Sequence, residues 1–201
     1  MTTARDLFIT ALDVPAGRPF AQGDLSLALA GAELVDLIAD ETVHLDDDRI
    51  LPGLPRATGD RLLDEAAAAL RRDTPYESVE DWLWRRGRGL AAAYAADLKA
   101  QEPGGRRWLP HKHPTPPTDS PDRGRATTRW ASREPVLVSL AAALGIPDGT
   151  AEGTQEQDTA DLPDATVTVL AAVHGALTEL AAVRQRRRIE DDAYANVWRG
   201  L

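Results

Sequence analysis

The chain has 201 residues, 43% of them apolar and 27% charged, with 32 Asp and Glu against 23 Lys and Arg for a formal charge of −9. This composition can fill one hydrophobic core and solvate its outside, which excludes wholesale disorder, and the length fits one domain, residues 1–201. With no cysteine, disulfides, thiolate nucleophiles and cysteine-ligated metal centres are excluded together.

Asp, Glu or Arg interrupts the apolar segments before the roughly 20-residue run that a spanning helix needs. The opening Met1-Thr2-Thr3-Ala4-Arg5-Asp6 meets an acid before any long apolar stretch, unlike a secretory signal. A cytoplasmic domain is expected. The first element, Asp6 to Asp13, is short and apolar, a helix or less readily a strand, halted by Pro15, Gly17 and Pro19. From Leu25 to Ala39, Leu27, Ala30, Gly31, Leu34, Leu37 and Ile38 recur at the spacing of one helix face. Thr42-Val43-His44-Leu45 and Arg49-Ile50-Leu51 flank Asp46-Asp47-Asp48, which predicts a hairpin.

Thr58 is placed to cap a helix from Gly59 to Arg72 that buries Leu62, Leu63, Ala66 and Leu70. Ser78 and Asp81 form a reciprocal cap for a short helix carrying Val79, Trp82 and Leu83, and an Ala-rich helix follows from Leu90 to Gln101. Between Glu102 and Asp122, six prolines and two glycines predict an exposed loop. Helical pattern returns from Pro135 to Leu144, with Gly145 suited to a terminus. Asp164 then opens a long helix through Val183, and a separate short helix is expected from Asp191 to Leu201. The predicted class is mainly α: a compact helical domain with small β-hairpins.

The charge is unevenly spread. From Arg85 to Arg133 eleven basic residues stand against four acidic ones, a surplus of seven that leaves the remainder sixteen negative. A second knot, Arg184, Arg186, Arg187 and Arg188, closes the long helix, where cations complement the dipole. Taken singly these are ordinary solvated charges. Taken together they suggest a face for polyanions, since the arginine fork fits phosphate oxygens and Trp108-Leu109 beside Arg106-Arg107 suits a headgroup boundary. Nucleic acid is the competing polyanion, but the acidic remainder repels it and no nucleic-acid-binding signature appears.

Pro55-Arg56-Ala57-Thr58-Gly59-Asp60-Arg61-Leu62-Leu63-Asp64-Glu65-Ala66, followed by Val79-Glu80-Asp81-Trp82-Leu83, resembles the Golgi phosphoprotein 3 family. The helix Leu27 to Leu34 leading into Thr42-Val43-His44-Leu45, the segment Leu170 to His174, and Asn196-Val197-Trp198 are similar to it as well. Abundant Ala and Arg suit an actinobacterial type of member. The resemblance implies a mostly helical domain with small hairpins. In eukaryotic members it also implies a peripheral membrane protein that binds phosphatidylinositol 4-phosphate in an arginine-lined pocket with a tryptophan wall, inserts an apolar hairpin, and acts as a coat adaptor for Golgi glycosyltransferases. A bacterial member has no Golgi in which to do so. By alignment the pocket tryptophan falls at Ala21 and two of its arginines at Ala30 and Ala91, leaving Arg88 as the match.

Asp60, Asp64 and Glu65 are expected to cap helices and pair with arginines rather than to catalyse. His111 and His113 lack the further ligand and spacing of a metal site, and His174 is expected to be a hydrogen-bonded core residue. Trp82 and Trp198 are expected in the core, Trp108 and Trp130 at an interface. The expected function is therefore non-enzymatic: a cytoplasmic domain, peripheral on the inner face of the cell membrane, binding anionic phospholipid headgroups. Arg85, Arg86, Arg88, Arg106 and Arg107 would hold the headgroup while Trp108 and Leu109 contact the membrane, with no metal or cofactor. The alternative is a soluble adaptor for an acidic protein partner, and the oligomeric state is left open.

Overall fold

The computed structural model describes residues 2–14, 21–101, 120–147 and 161–199, with side chains of the last helix as far as Tyr194. The elements are α1 (Thr3–Asp13), α2 (Gln22–Ala39), β1 (Val43–Asp46), β2 (Arg49–Pro52), α3 (Arg61–Ala68), α4 (Val79–Arg86), α5 (Leu90–Ala100), α6 (Pro121–Ala131), α7 (Pro135–Ala143) and α8 (Asp164–Arg199).

The centre is α2. Every residue from Leu25 to Val35 is buried, so the one-sided stripe expected from sequence is a helix enclosed all round, as an almost uninterrupted apolar run requires. Around it pack α1, α3, α4, α5, α7 and α8. A continuous core joins Leu7, Leu29, Leu34, Leu63, Trp82, Leu83, Tyr94, Leu137 and Val173. The hairpin forms as predicted, with Val43 opposite Pro52 and Asp46 opposite Arg49. Asp47 takes φ 53° in its turn, the left-handed region that a short Asp side chain tolerates.

Three boundaries differ from expectation. The helix expected from Gly59 begins at Arg61 because Asp60, not Thr58, caps it, accepting the Leu62 and Leu63 amides; it ends at Ala68, and Leu70 is buried beyond it. The predicted proline-rich loop ends sooner, since Pro121 and Asp122 form the first turn of α6 behind the Ser120 cap. Proline at N1 favours that first turn, where its missing N–H costs nothing. Residues 102–119 of that loop lie outside the described residues.

The two expected C-terminal helices are one, Asp164–Arg199, so the Arg186–Arg188 knot lies in mid-helix rather than at a terminus. An 18-residue window of α8 reaches mean hydropathy 1.6, long and apolar enough to cross a membrane by composition, contrary to the expectation that charges cut every such stretch. Only 28% of that window is buried: Val169, Val173, Ala176 and Leu177 form the one face of α8 that packs on α2, α4 and α7.

The α2–α8 crossing depends on Gly31, where a Cβ would lie 2.2 Å from Val173 Cγ2. Gly31→Ala should destabilise by about 1–3 kcal/mol, overpacking outweighing the better helix propensity of alanine. In a Val173→Ala background the same change should become neutral or stabilising, and urea denaturation of the four proteins checks the sign reversal.

Candidate functional site

Helix α4 fixes two of the expected headgroup arginines. Ser78 caps it by accepting the Asp81 N–H and donating to Asp81 Oδ2 at 2.9 Å, and Trp82 and Leu83 turn inward, so Arg85 and Arg86 fall in the last turn. Arg85 donates through Nε and Nη2 to Glu77 at 2.6 Å each and to the Ala69 carbonyl, with its guanidinium 5.2 Å over the Trp82 ring. Arg86 donates from Nε and Nη2 to Glu33 at 2.7 and 2.9 Å and to the Leu62 carbonyl at 3.0 Å. Both forks are spent on internal carboxylates. Both were expected to face a ligand; here they are held inward, and a fully buried Glu33 requires a paired cation.

Other cations of the basic window behave likewise. Arg123 pairs with Asp13, Arg125 with Asp122, and Arg129 with Asp6 at 2.7 Å and Glu134 at 3.0 Å. Among the described residues, much of the local surplus is therefore neutralised by acids that are either close in sequence, such as Asp122 and Glu134, or folded in from distant segments, such as Asp6 and Asp13. Arg106, Arg107, Trp108 and Leu109 lie outside the described residues, as do His111 and His113.

Arg88 remains exposed. It sits in the Gly87–Gly89 turn between α4 and α5. A Cβ at Gly87 would lie 2.6 Å from the Leu83 carbonyl and 3.3 Å from Leu27 Cδ2 and the Ser26 carbonyl, which seats this turn on the start of α2. Arg184 reaches the same end from α8: its Nη2 would meet a Cβ at Gly23 at 3.0 Å, and its Nη1 donates to Asp24 at 2.6 Å. Beyond it α8 is exposed from Gln185 to Tyr194. Arg88, Arg186, Arg187 and Arg188 make no ion pair among the described residues.

The positions aligned with the family's pocket are not open to a headgroup as a set. Ala21 is exposed at the N-cap of α2, but Ala30 is fully buried, its carbonyl accepting Trp82 Nε1–H at 3.1 Å, and Ala91 is 4% exposed.

The acidic motif is structural, as expected. Asp60 caps α3 and accepts Arg5 Nε at 3.1 Å, Asp64 accepts the Thr58 N–H and hydroxyl, and Glu65 pairs with Arg61. Asp97 joins Arg5 at 2.7 Å and Arg61 at 2.8 Å. Burial pushes its carboxyl up, but those two guanidiniums outweigh burial and hold it below the ordinary range.

Glu33 is raised by burial, against the opposing pull of Arg86 and the Tyr94 hydroxyl. Burial, followed by the charge of Glu33, raises Tyr94. Asp36 accepts the Thr3 and Ala4 amides at the start of α1 at 2.9 and 3.1 Å; burial pushes it up to about 6 in spite of those bonds and Arg129. His174 is exposed rather than in the core, Trp82 is fully buried, and Trp130 is partly buried against the core. Trp198's side chain lies outside the described residues. Among the described residues no group of three His, Asp or Glu is arranged to hold a metal.

Fold and site define a mainly α domain whose carboxylates and arginines bind one another across distant segments. The Golgi phosphoprotein 3 (GPP34) family model matches residues 4–185, and the chain belongs to that family. No curated protein and no solved structure matches it.

Arg86→Gln should cost about 3–5 kcal/mol by leaving Glu33 buried without its cation, whereas Arg88→Gln should change stability by under about 0.5 kcal/mol; urea denaturation separates them. Asp36 binds its proton more tightly folded than unfolded, so its contribution to stability should fall as pH rises from about 4 to about 6. Asp36→Asn should remove that component, seen as a change in the wild-type-minus-variant stability difference across those pH values.

Proposed function

We propose that the chain is a non-catalytic domain, peripheral on the inner face of the cell membrane, that docks on anionic phospholipid headgroups with the end of the fold where α2 begins. One observation carries this reading: Arg88 and the Arg186–Arg188 turn of α8 are exposed, unpaired among the described residues, and carried by elements that both pack on the start of α2. A cation held near an anionic bilayer is worth about 1 kcal/mol, so four support reversible association. Glu190, Asp191 and Asp192 follow directly and weaken it, while screening over about 8 Å at physiological salt keeps the more distant acidic surface from preventing contact.

The sequence adds Arg106 and Arg107, with Trp108 and Leu109 entering the interface. Family membership supports headgroup binding as a class. Because Ala30 and Ala91 are buried alanines where the family pocket has arginines, the selectivity proposed is for anionic charge and not for phosphatidylinositol 4-phosphate in particular.

Co-sedimentation with phosphatidylcholine vesicles, alone or containing phosphatidylserine or phosphatidylinositol 4-phosphate, tests the reading. The chain should bind both anionic compositions to similar extents and release at high salt. Replacing Arg88, Arg186, Arg187 and Arg188 by Gln should abolish most binding with little loss of stability. No binding to anionic vesicles at low salt would refute the proposal.

A further inference from the structure

A second arginine site lies outside the basic window. Pro55, Arg56 and Ala57 face Asp64, Ala67, Ala68 and Arg72 across a hollow of about 290 Å³. Neither guanidinium is well engaged. Arg56 Nη1 stands 3.3 Å from the Asp40 carbonyl and 4.0 Å from Glu41, and Arg72 Nη1 stands 3.4 Å from the Gly53 carbonyl, beyond the roughly 2.7–3.2 Å of ordinary N–H···O bonds. Both side chains belong to exposed residues. Asp64 Oδ1 already accepts two bonds from Thr58, at 2.8 and 2.9 Å, which leaves Oδ2 as an acceptor. Leu54, next to Pro55, is 85% exposed, more than any other large apolar side chain among the described residues.

These features select an occupant. Two underused guanidiniums call for carboxylates, and the Pro55, Ala57, Ala67 and Ala68 walls suit an aliphatic side chain. Leu54 offers a second apolar contact, and Asp64 Oδ2 can accept a peptide N–H. A phosphate ion fits less well, because it would leave the apolar walls uncontacted and most of the hollow unfilled.

The site's place excludes a bilayer in the orientation proposed above. Arg56 reaches Asp40, the C-cap of α2, whereas Arg88 and Arg184 lie toward the other end of that 18-residue helix, roughly 20–25 Å away. We propose that this hollow docks an acidic, aliphatic-containing peptide segment of a partner protein. Only the orientation argument rests on the headgroup reading; the charge and shape arguments are independent of it.

Fluorescence anisotropy with a short fluorescein-labelled peptide alternating glutamate and leucine tests this on the full chain. That peptide should bind, one alternating lysine and leucine should not, and inorganic phosphate should not compete. Arg56→Gln and Arg72→Gln should each weaken binding roughly tenfold. Ala68→Leu, which fills the hollow with its charges intact, should weaken it at least as much, and Leu54→Ser, away from the core, should weaken it severalfold. Circular dichroism verifies that each variant is folded.

The Arg88/Arg186/Arg187/Arg188 variant should lose vesicles yet keep the peptide, so failure of headgroup docking and failure of this site are told apart. The proposal is overturned if the acidic peptide does not bind, if phosphate competes, if the folded Ala68→Leu protein binds like wild type, or if Arg56→Gln and Arg72→Gln diminish vesicle binding.

Discussion

The fold turns on one buried charge. Glu33 is wholly enclosed in the middle of α2, and an isolated carboxylate there would be prohibitively costly. Arg86 from α4 grips it with two hydrogen bonds, Tyr94 from α5 donates a third at 3.2 Å, and the same guanidinium holds the Leu62 carbonyl of α3. Three helices are thereby fixed in register around α2. Apolar packing alone would tolerate small slips between them, but a bidentate pair in a dry interior does not, because a slip leaves both ions unpaired.

The same logic recurs nearer the surface. Arg5 joins Asp60 and Asp97, Arg129 joins Asp6 and Glu134, and Arg85 joins Glu77. Each links segments far apart in the chain or ties a helix end to a loop. An acidic protein with a basic central stretch is therefore largely a self-neutralising one, and its net charge of −9 says little about which surface meets a partner. The two proposed contacts use cations of the described residues that stand outside these close pairs: Arg88 and the α8 turn at one end of α2, Arg56 and Arg72 at the other.

Local signals were the readable ones. The Ser78–Asp81 cap, the Asp46–Asp48 turn and the Asp60-Arg61-Leu62-Leu63-Asp64-Glu65 string act over a few residues, so spacing reveals them. The start of α6 was readable too, from serine, proline and aspartate at Ser120-Pro121-Asp122, but the density of prolines before it hid that signal. The continuity of α8 is hidden in the sequence because Arg186-Arg187-Arg188 followed by Glu190-Asp191-Asp192 looks like a terminus, although every one of those residues is a tolerable helix former. Arg56 and Arg72 gave no sign of sharing a hollow, since only the return of the chain through the hairpin and α3 brings them together.

Composition and periodicity were thus sufficient for the mainly α class, for α2 as a principal helix and for the family likeness, because helix propensity, capping and apolar spacing are written in neighbouring residues. Which arginines are available to a ligand was settled by folding. Arg85, Arg86 and Arg88 are almost adjacent in the chain, yet the 100° step between helical residues and the positions of Glu77 and Glu33 turn the first two inward, while the glycine turn leaves the third in solvent. A charge's role depends on the nearest opposite charge in space, and linear order does not contain that distance.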